Sequence, residues 1–194
     1  FGSAMAEAAY WTSLERNSDM VVMAAYAPLF CKKGFNKWNS NLIWFDNRGL
    51  WLTCNYYYQQ LFSYAGDKAF EMSEVMDGDE ADGSVYTSPT IDTETGEIFV
   101  KFVNSEALDK NLTLNIGGGR TYTATVEFVS SHDTKVKNQG DQNYYSGSPE
   151  VDEVSYDEAV KPQSVDLGQV RRKFTMTLPE NSIGIIKLSP VKED

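Results

Sequence analysis

The stretch Ala6–Phe30, AEAAYWTSLERNSDMVVMAAYAPLF, limits what the rest of the chain can be. Ala4, Ala8, Trp11 and Leu14 fall near one face at helical spacing, and alanine is the strongest helix former, so a helix is predicted over residues 3–16. Glu7 and Glu15 stay off that face. Asn17 can close the helix, because asparagine tolerates the left-handed conformation common just past a C-terminus. Met20 to Ala27 is then almost unbroken apolar sequence. A strand buried on both faces has this composition, as in a parallel sheet flanked by helices. Pro28 ends it, since proline has no N–H to give to a ladder. One helix cannot cover both faces of such a strand, and no obvious parallel neighbours follow. The expectation is a chain that starts inside a larger α/β domain, near its end.

Downstream, residues 31–40 read as a polar loop. Leu42–Phe45 and Leu50–Leu52 make a hairpin across the turn Asp46-Asn47-Arg48-Gly49. Asn55 is the expected N-cap of a helix through about Tyr64, ended by Gly66-Asp67. The composition then changes. Glu71–Gly83 is acidic, and after it apolar residues alternate with period two between turn signals. Strands are predicted over Val85–Ile91 and Glu97–Asn104, around Leu112–Ile116, and over Tyr122–Phe128, Phe174–Leu178 and Ser182–Leu188. Residues 131–168 read as one long polar loop. Phe70 and Met72 can already belong to the second domain's first strand. About six antiparallel strands with one apolar face fit a β-sandwich. The reading is two domains, 1–66 of α/β type and 67–194 a sandwich.

The net charge of −11 argues against nucleic acid or an anionic membrane surface as partner, since both need a cationic face. No window approaches the ~20 apolar residues of a membrane span. The chain holds 4 Trp, 11 Tyr and 10 Phe, enough to stack on sugar rings, though aromatics also fill ordinary cores. Cys31 and Cys54 cannot form a structural zinc site alone. Cys31 follows the apolar stretch and Cys54 precedes the next helix, which leaves a disulfide open, with two free thiols the commoner outcome.

The run ERNSDMVVMAAYAPLF, then Trp38-Asn39, Asn41-Leu42-Ile43-Trp44-Phe45-Asp46-Asn47 and Tyr56-Tyr57-Tyr58-Gln59-Gln60-Leu61-Phe62-Ser63, resembles the α-L-arabinofuranosidases of glycoside hydrolase family 51, long-chain subgroup. The likeness is dense over the first third and loose beyond. Pro179-Glu180-Asn181-Ser182 with Ile183, Ile185 and Ile186 is similar to that family's closing strand. The resemblance implies an α/β plus all-β chain: the last units of a TIM (β/α)8 barrel, then a C-terminal antiparallel β-sandwich. It implies arabinose-containing polysaccharide or oligosaccharide as substrate, the remainder of the barrel as partner, and no metal or organic cofactor. A retaining glycosidase needs two carboxyl groups ~5–5.5 Å apart. The resemblance puts both glutamates on earlier barrel strands, upstream of Phe1.

Within the chain, TIM-barrel logic makes the end of the last strand and the following loop the pocket rim. Tyr26, Phe35, Trp38 and Asn39 are the substrate-binding candidates, with Trp38 first and plain loop packing as its ordinary alternative. Pro28 stands where shorter relatives carry a sugar-holding glutamine, and Leu52, Cys54 and Asn55 depart from the family's usual run there. Glu7 and Glu15 on the first helix read as solvated or salt-bridged. Asp46 reads as a turn carboxylate. Asp77, Asp79, Glu80 and Asp82 lack calcium-loop spacing and read as a solvated linker. His132 beside Asp133 reads as a loop histidine, and Asn111-Leu112-Thr113 is a glycosylation sequon. Two other functions stay open: a non-catalytic sandwich binding polysaccharide through Tyr144, Tyr145 and Tyr156, and a related barrel acting on β-glucan or xylan. Without barrel neighbours, Met20–Ala27 should leave an exposed apolar patch or be covered in an oligomer.

Overall fold

The computed structural model describes residues 1–33, 35, 41–70, 72–76, 83–138 and 158–192. Helix α1 (Gly2–Arg16) opens the chain, with Ala4, Met5, Ala8 and Thr12 buried. Asn17 closes it at φ −107°, outside the left-handed region, and its side-chain Nδ2 donates to the Ser13 carbonyl at 2.7 Å. The expected cap residue is right and its mechanism differs: the amide satisfies a carbonyl directly.

Residues 20–27 do not form a strand, contrary to the sequence expectation. Met20, Val22 and Met23 are 79%, 97% and 87% exposed. An apolar strand needs a ladder on each side, and no strand among the described residues pairs with this stretch. The expected apolar patch is therefore present. Short strands follow: β1 (Phe30–Lys32), β2 (Ile43–Phe45) and β3 (Leu50–Leu52). β2 and β3 pair antiparallel as predicted, while β1, which the sequence placed mostly in a loop, pairs parallel with β2. Asp46 Oδ1 accepts from the amides of Arg48 and Gly49, which sets the hairpin turn.

Helix α2 (Cys54–Phe62) is capped by Thr53 rather than Asn55. The Thr53 hydroxyl accepts from the Tyr56 amide at 3.2 Å and donates to the Leu42 carbonyl at 2.8 Å. Thr53→Ala should therefore destabilise the protein by about 1–2 kcal/mol. Thr53→Ser should recover most of it, as read from urea midpoints. The helix ends at Phe62, before the predicted Gly66-Asp67 stop.

The rest is antiparallel sheet. Strands β4 (Lys68–Ala69), β5 (Ser73–Met76), β6 (Val85–Ile91), β7 (Ile98–Asn104), β8 (Lys110–Asn115), β9 (Thr121–Ser130), β10 (Gln163–Arg171), β11 (Lys173–Leu178) and β12 (Ser182–Pro190) form two sheets. The larger has the order β10-β9-β12-β7-β6-β4 and the smaller β11-β8-β5. β6, β7, β9, β11 and β12 follow the predicted alternation closely. β10 corrects the long-loop reading from residue 163 onward.

The two sheets pack face to face. Val100 and Phe102 of β7, Val126 of β9 and Ile186 of β12 meet Leu112 and Leu114 of β8 and Leu178 of β11. This is a β-sandwich. Residues at the other phase of the same strands, Val103, Val129, Ile183 and Ile185, pack on Ala4, Ala8, Tyr58 and Leu61 of the helices. The central strands of the larger sheet, β7, β9 and β12, are thus buried on both faces, which explains the near-continuous apolar sequence of β12. Phe70 and Met72 pack against the sandwich core, though they lie between β4 and β5 rather than in a strand.

Cys31 and Cys54 are both buried free thiols, each pushed above the ordinary cysteine range by desolvation. Cys31 on β1 lies opposite Trp44, which in turn pairs with Trp51, and Cys54 sits in the helix layer.

Candidate functional site

The helix layer and the turn after β9 leave a half-open cleft of about 560 Å³ between them. Its walls come from four separate parts of the chain. α1 supplies Glu7, the extended segment supplies Tyr26, and the start of α2 supplies Thr53 and Asn55 with Asn41 nearby. The turn after β9 supplies Lys135, Lys137 and Asn138.

The floor is fixed by hydrogen bonds. Asn55 Nδ2 donates to Glu7 Oε2 at 2.8 Å, and the Tyr58 hydroxyl donates to the same oxygen at 3.2 Å. Helix α2 therefore holds the Glu7 side chain in place on α1. The opposite wall is fixed by a reciprocal pair. Asn138 Nδ2 donates to the Val160 carbonyl at 2.6 Å, and the Val160 amide donates to Asn138 Oδ1 at 2.8 Å. Glu158 ties this wall across to the hairpin: it accepts from the Leu52 amide at 2.8 Å and from the Tyr57 hydroxyl. Tyr26 is half-buried, and desolvation with the nearby Glu7 carboxylate pushes its phenol up to about 12, so it stays protonated. Tyr58 is raised for the same two reasons, burial first.

Of the rim candidates, Tyr26 lies in this cleft. Phe35 does not: its ring is 75% exposed, with Lys32 Nζ 5.5 Å from the ring centroid. Trp38 and Asn39 lie outside the described residues, as do Tyr144, Tyr145, Tyr156 and the acidic run from Asp77 to Asp82. The structure does not bring Tyr26 and Phe35 together. It brings Tyr26 to Glu7, Asn41, Asn55, Lys135 and Lys137 instead. Tyr26 was a sequence candidate by position alone, and the lysines carried no sequence signal, because only the fold places residues 134–138 beside α2.

A second concavity, of about 740 Å³, is apolar and lined by Phe30, Ile43, Phe45 and Leu50 on the open face of the β1–β3 sheet. Phe30 and Leu50 in its lining are 62% and 56% exposed.

The carboxylates that might have served as an acid–base pair have structural employment. Glu7 is held by α2. Glu15 bridges to Lys101 and accepts from Ser88. Asp46 shapes its turn. His132 is exposed and pairs with Glu180 at 2.8 Å, which raises its pKa above the usual histidine range. Among the described residues no three His, Cys, Asp or Glu side chains cluster as metal ligands. Nor, among the described residues, is any helix long and apolar enough to cross a membrane.

Comparison with known proteins adds what the geometry lacks. The model of the family described as "Alpha-L-arabinofuranosidase C-terminal domain" matches residues 1–182. A protein of Aspergillus oryzae named "Probable alpha-L-arabinofuranosidase A" is 32% identical over 185 residues, which are 94% of this chain and 26% of that protein. A Streptomyces chartreusis protein named "Extracellular exo-alpha-L-arabinofuranosidase" is 45% identical over 65 residues, 33% of this chain and 8% of its own length. The solved structure of arabinose-bound MgGH51 α-L-arabinofuranosidase superposes with a TM-score of 0.77 at 24% identity, covering 97% of this chain and 27% of that one. The chain spans about a quarter of the length of the Aspergillus relative and of this structural neighbour.

Proposed function

Because this chain belongs to the alpha-L-arabinofuranosidase C-terminal domain family, we propose that it is the C-terminal part of a retaining glycoside hydrolase that releases terminal α-L-arabinofuranosyl groups from arabinoxylan or arabinan. The family match over residues 1–182 carries this reading. Residues 1–66 are the end of the parent's TIM barrel and residues 67–194 its sandwich. The catalytic glutamates lie upstream, which agrees with the structural partners already held by Glu7, Glu15 and Asp46. They need no metal or organic cofactor.

Two observations support the barrel assignment. The Met20–Ala27 stretch is apolar, extended and without a ladder, as a barrel strand would be when its neighbours are elsewhere. The apolar concavity around Phe30, Phe45 and Leu50 is a second uncovered apolar surface of the same part of the chain. The remainder of the barrel is the partner that covers both; a second copy of the chain is the substitute where the barrel is missing. Tyr26, Phe35, Trp38 and Asn39 border the parent's substrate pocket, and an arabinose-containing glycan is what they meet. The sandwich, packed on α1 and α2 through Val103, Val129, Ile183 and Ile185, braces the barrel end from behind.

The test is hydrolysis of an aryl α-L-arabinofuranoside by this chain and by the full-length parent, side by side. Turnover by the parent alone is expected. Turnover by the 194-residue chain would place the catalytic pair here and overturn the assignment. Inactivity of both would remove the arabinofuranosidase reading.

A further inference from the structure

We propose that the corner where the chain passes from β10 to β11 is a docking surface for the uronic-acid groups of a mostly neutral polysaccharide. That the ligand is a carboxylate rests on the corner; that a polysaccharide carries it rests on the arabinofuranosidase reading.

Arg171-Arg172-Lys173 is the only run of three consecutive basic residues in a chain of net charge −11. All three are exposed, and none forms an ion pair among the described residues. Lys101 and Lys187, by contrast, each pair with a glutamate. Arg172 joins the two strands at φ 57°, a left-handed conformation that glycine or asparagine adopts at lower cost. A long cationic side chain at such a position points to a use for its charge.

The corner is clamped to the turn Gly117–Gly119 by two hydrogen bonds that run in opposite directions. The Ile116 amide donates to the Arg172 carbonyl at 2.8 Å, and Arg171 Nε donates to the Gly119 carbonyl at 2.6 Å. The second bond orients the guanidinium and leaves Nη1 and Nη2 without an acceptor among the described residues. Their paired N–H groups match the two oxygens of a carboxylate. Gly117 and Gly118 stand at φ 65° and 57°, and a Cβ on either would meet nothing within 4 Å, so the space over the turn is open. The amides of Gly118 and Gly119 also have no acceptor among the described residues, and turn amides of this kind bind anions. Arg120 is not part of this surface: its Nη1 lies against Gly96, 2.7 Å from where a Cβ there would stand.

The charge on the rest of the chain selects the partner. A densely charged polyanion, such as nucleic acid, would be attracted at this corner and repelled by most of the remaining surface. A neutral glycan with isolated carboxylates escapes that repulsion, because screening confines each charge to its own neighbourhood. One uronate on the Arg171 fork, with Arg172 and Lys173 beside it, meets the corner's charge without a long anionic tract.

The experiment is a calorimetric titration of the 194-residue chain and of the full-length parent with xylotriose bearing one glucuronic acid, and with plain xylotriose. The expected result is saturable binding of the acidic sugar, about tenfold or more tighter than the neutral one and weakened by salt. Arg171→Ala should weaken it about tenfold, and Arg171→Lys nearly as much, because lysine keeps the charge and loses the fork. Arg172→Gly should weaken it about threefold and leave the urea midpoint equal or higher, since glycine relaxes the left-handed position. That variant keeps a loss of binding distinct from a loss of fold. Equal affinity for the two sugars, or affinity unchanged in Arg171→Ala and Arg172→Gly, would overturn the surface. Tighter binding of a short DNA strand would overturn it in favour of a nucleic acid. Binding by this chain that vanishes in the parent would also overturn it, because other parts of the parent would then cover the corner. A parent that cleaves the aryl arabinofuranoside but ignores the acidic sugar refutes the corner alone. An inactive parent that binds the acidic sugar through Arg171 refutes the enzyme reading alone.

Discussion

Glu15→Ala is expected to lower the unfolding free energy by about 3–5 kcal/mol, the usual consequence of stripping the partner from a buried charge. Lys101 stands at the middle of β7, on the face that carries the helices, and its side chain is 2% exposed. Its ammonium pairs with Glu15 of α1, whose other carboxylate oxygen accepts from the Ser88 hydroxyl of β6. The Phe62 ring of α2 lies 5.6 Å from Lys101 Nζ. Arg16 adds a bond to the Thr87 carbonyl beside it. The pair therefore gathers both helices and two strands at one point. Burial pulls the Lys101 pKa down, and Glu15 opposes that pull. Without Glu15, a ring face alone cannot replace a full counter-charge.

The pH dependence gives a sign to check. In Glu15→Ala the folded pKa of Lys101 falls further below its unfolded value. Between those two values the unfolded chain binds the extra proton, so stability rises with pH. Urea midpoints of the variant should therefore rise with pH up to the free lysine range of about 10.4, while those of a surface Glu→Ala control should not. The double variant Glu15→Leu with Lys101→Met should sit within about 1 kcal/mol of the parent or above it, since well-packed apolar residues often match a buried ion pair. A Glu15→Ala loss below about 1 kcal/mol, the range of exposed pairs, would mean that the ammonium reaches water.

The sequence reading succeeded where a local pattern had one cause. Ile98, Val100 and Phe102 alternate because one side of β7 faces the smaller sheet, and the structure puts all three in that core. It failed where the cause was a neighbour. Met20–Ala27 has the composition of a doubly buried strand, yet composition cannot supply the adjacent strands that make a ladder. β10 was invisible for the opposite reason. It is an edge strand exposed along most of its length, so Ser164, Asp166 and Gln169 carry no apolar alternation to detect, and Gly168 at φ 71° adds a bulge. Thr53 lost to Asn55 in the cap assignment, since both are good caps and the sequence does not show that the Leu42 carbonyl waits beside the threonine.

The site was legible to a smaller degree. Tyr26 could be named from its place at the end of the apolar run. Glu7 reads in sequence as a solvated or salt-bridged helix carboxylate, and its partners Asn55 and Tyr58 lie some fifty positions away in sequence. Lys135 and Lys137 sit in a polar stretch with no pattern. Contacts of that range are products of the tertiary fold, and no window of sequence holds them.

Gly184→Ala is the second large effect expected, about 3 kcal/mol, at the upper end of what overpacking a core costs. Gly184 lies in β12, which is paired along both edges, with β7 on one side and β9 on the other. A Cβ there would fall 2.5 Å from Phe102 Cζ and 2.7 Å from the Glu127 carbonyl oxygen. The two obstacles differ in kind. Phe102 is a side chain and can be shortened; the Glu127 carbonyl belongs to β9 and moves only with its strand. Phe102→Leu placed with Gly184→Ala should therefore recover part of the loss but not all of it, and Phe102→Leu alone should cost about 1 kcal/mol in a core this dense. The two residues touch, so their effects should depart from additivity by more than about 0.5 kcal/mol. Full recovery in the double variant would mean that the Phe102 ring is the sole obstacle and that β9 can yield. No recovery would mean that the backbone contact sets the whole cost, and that the near approach of β12 to β9 is what requires glycine at this position.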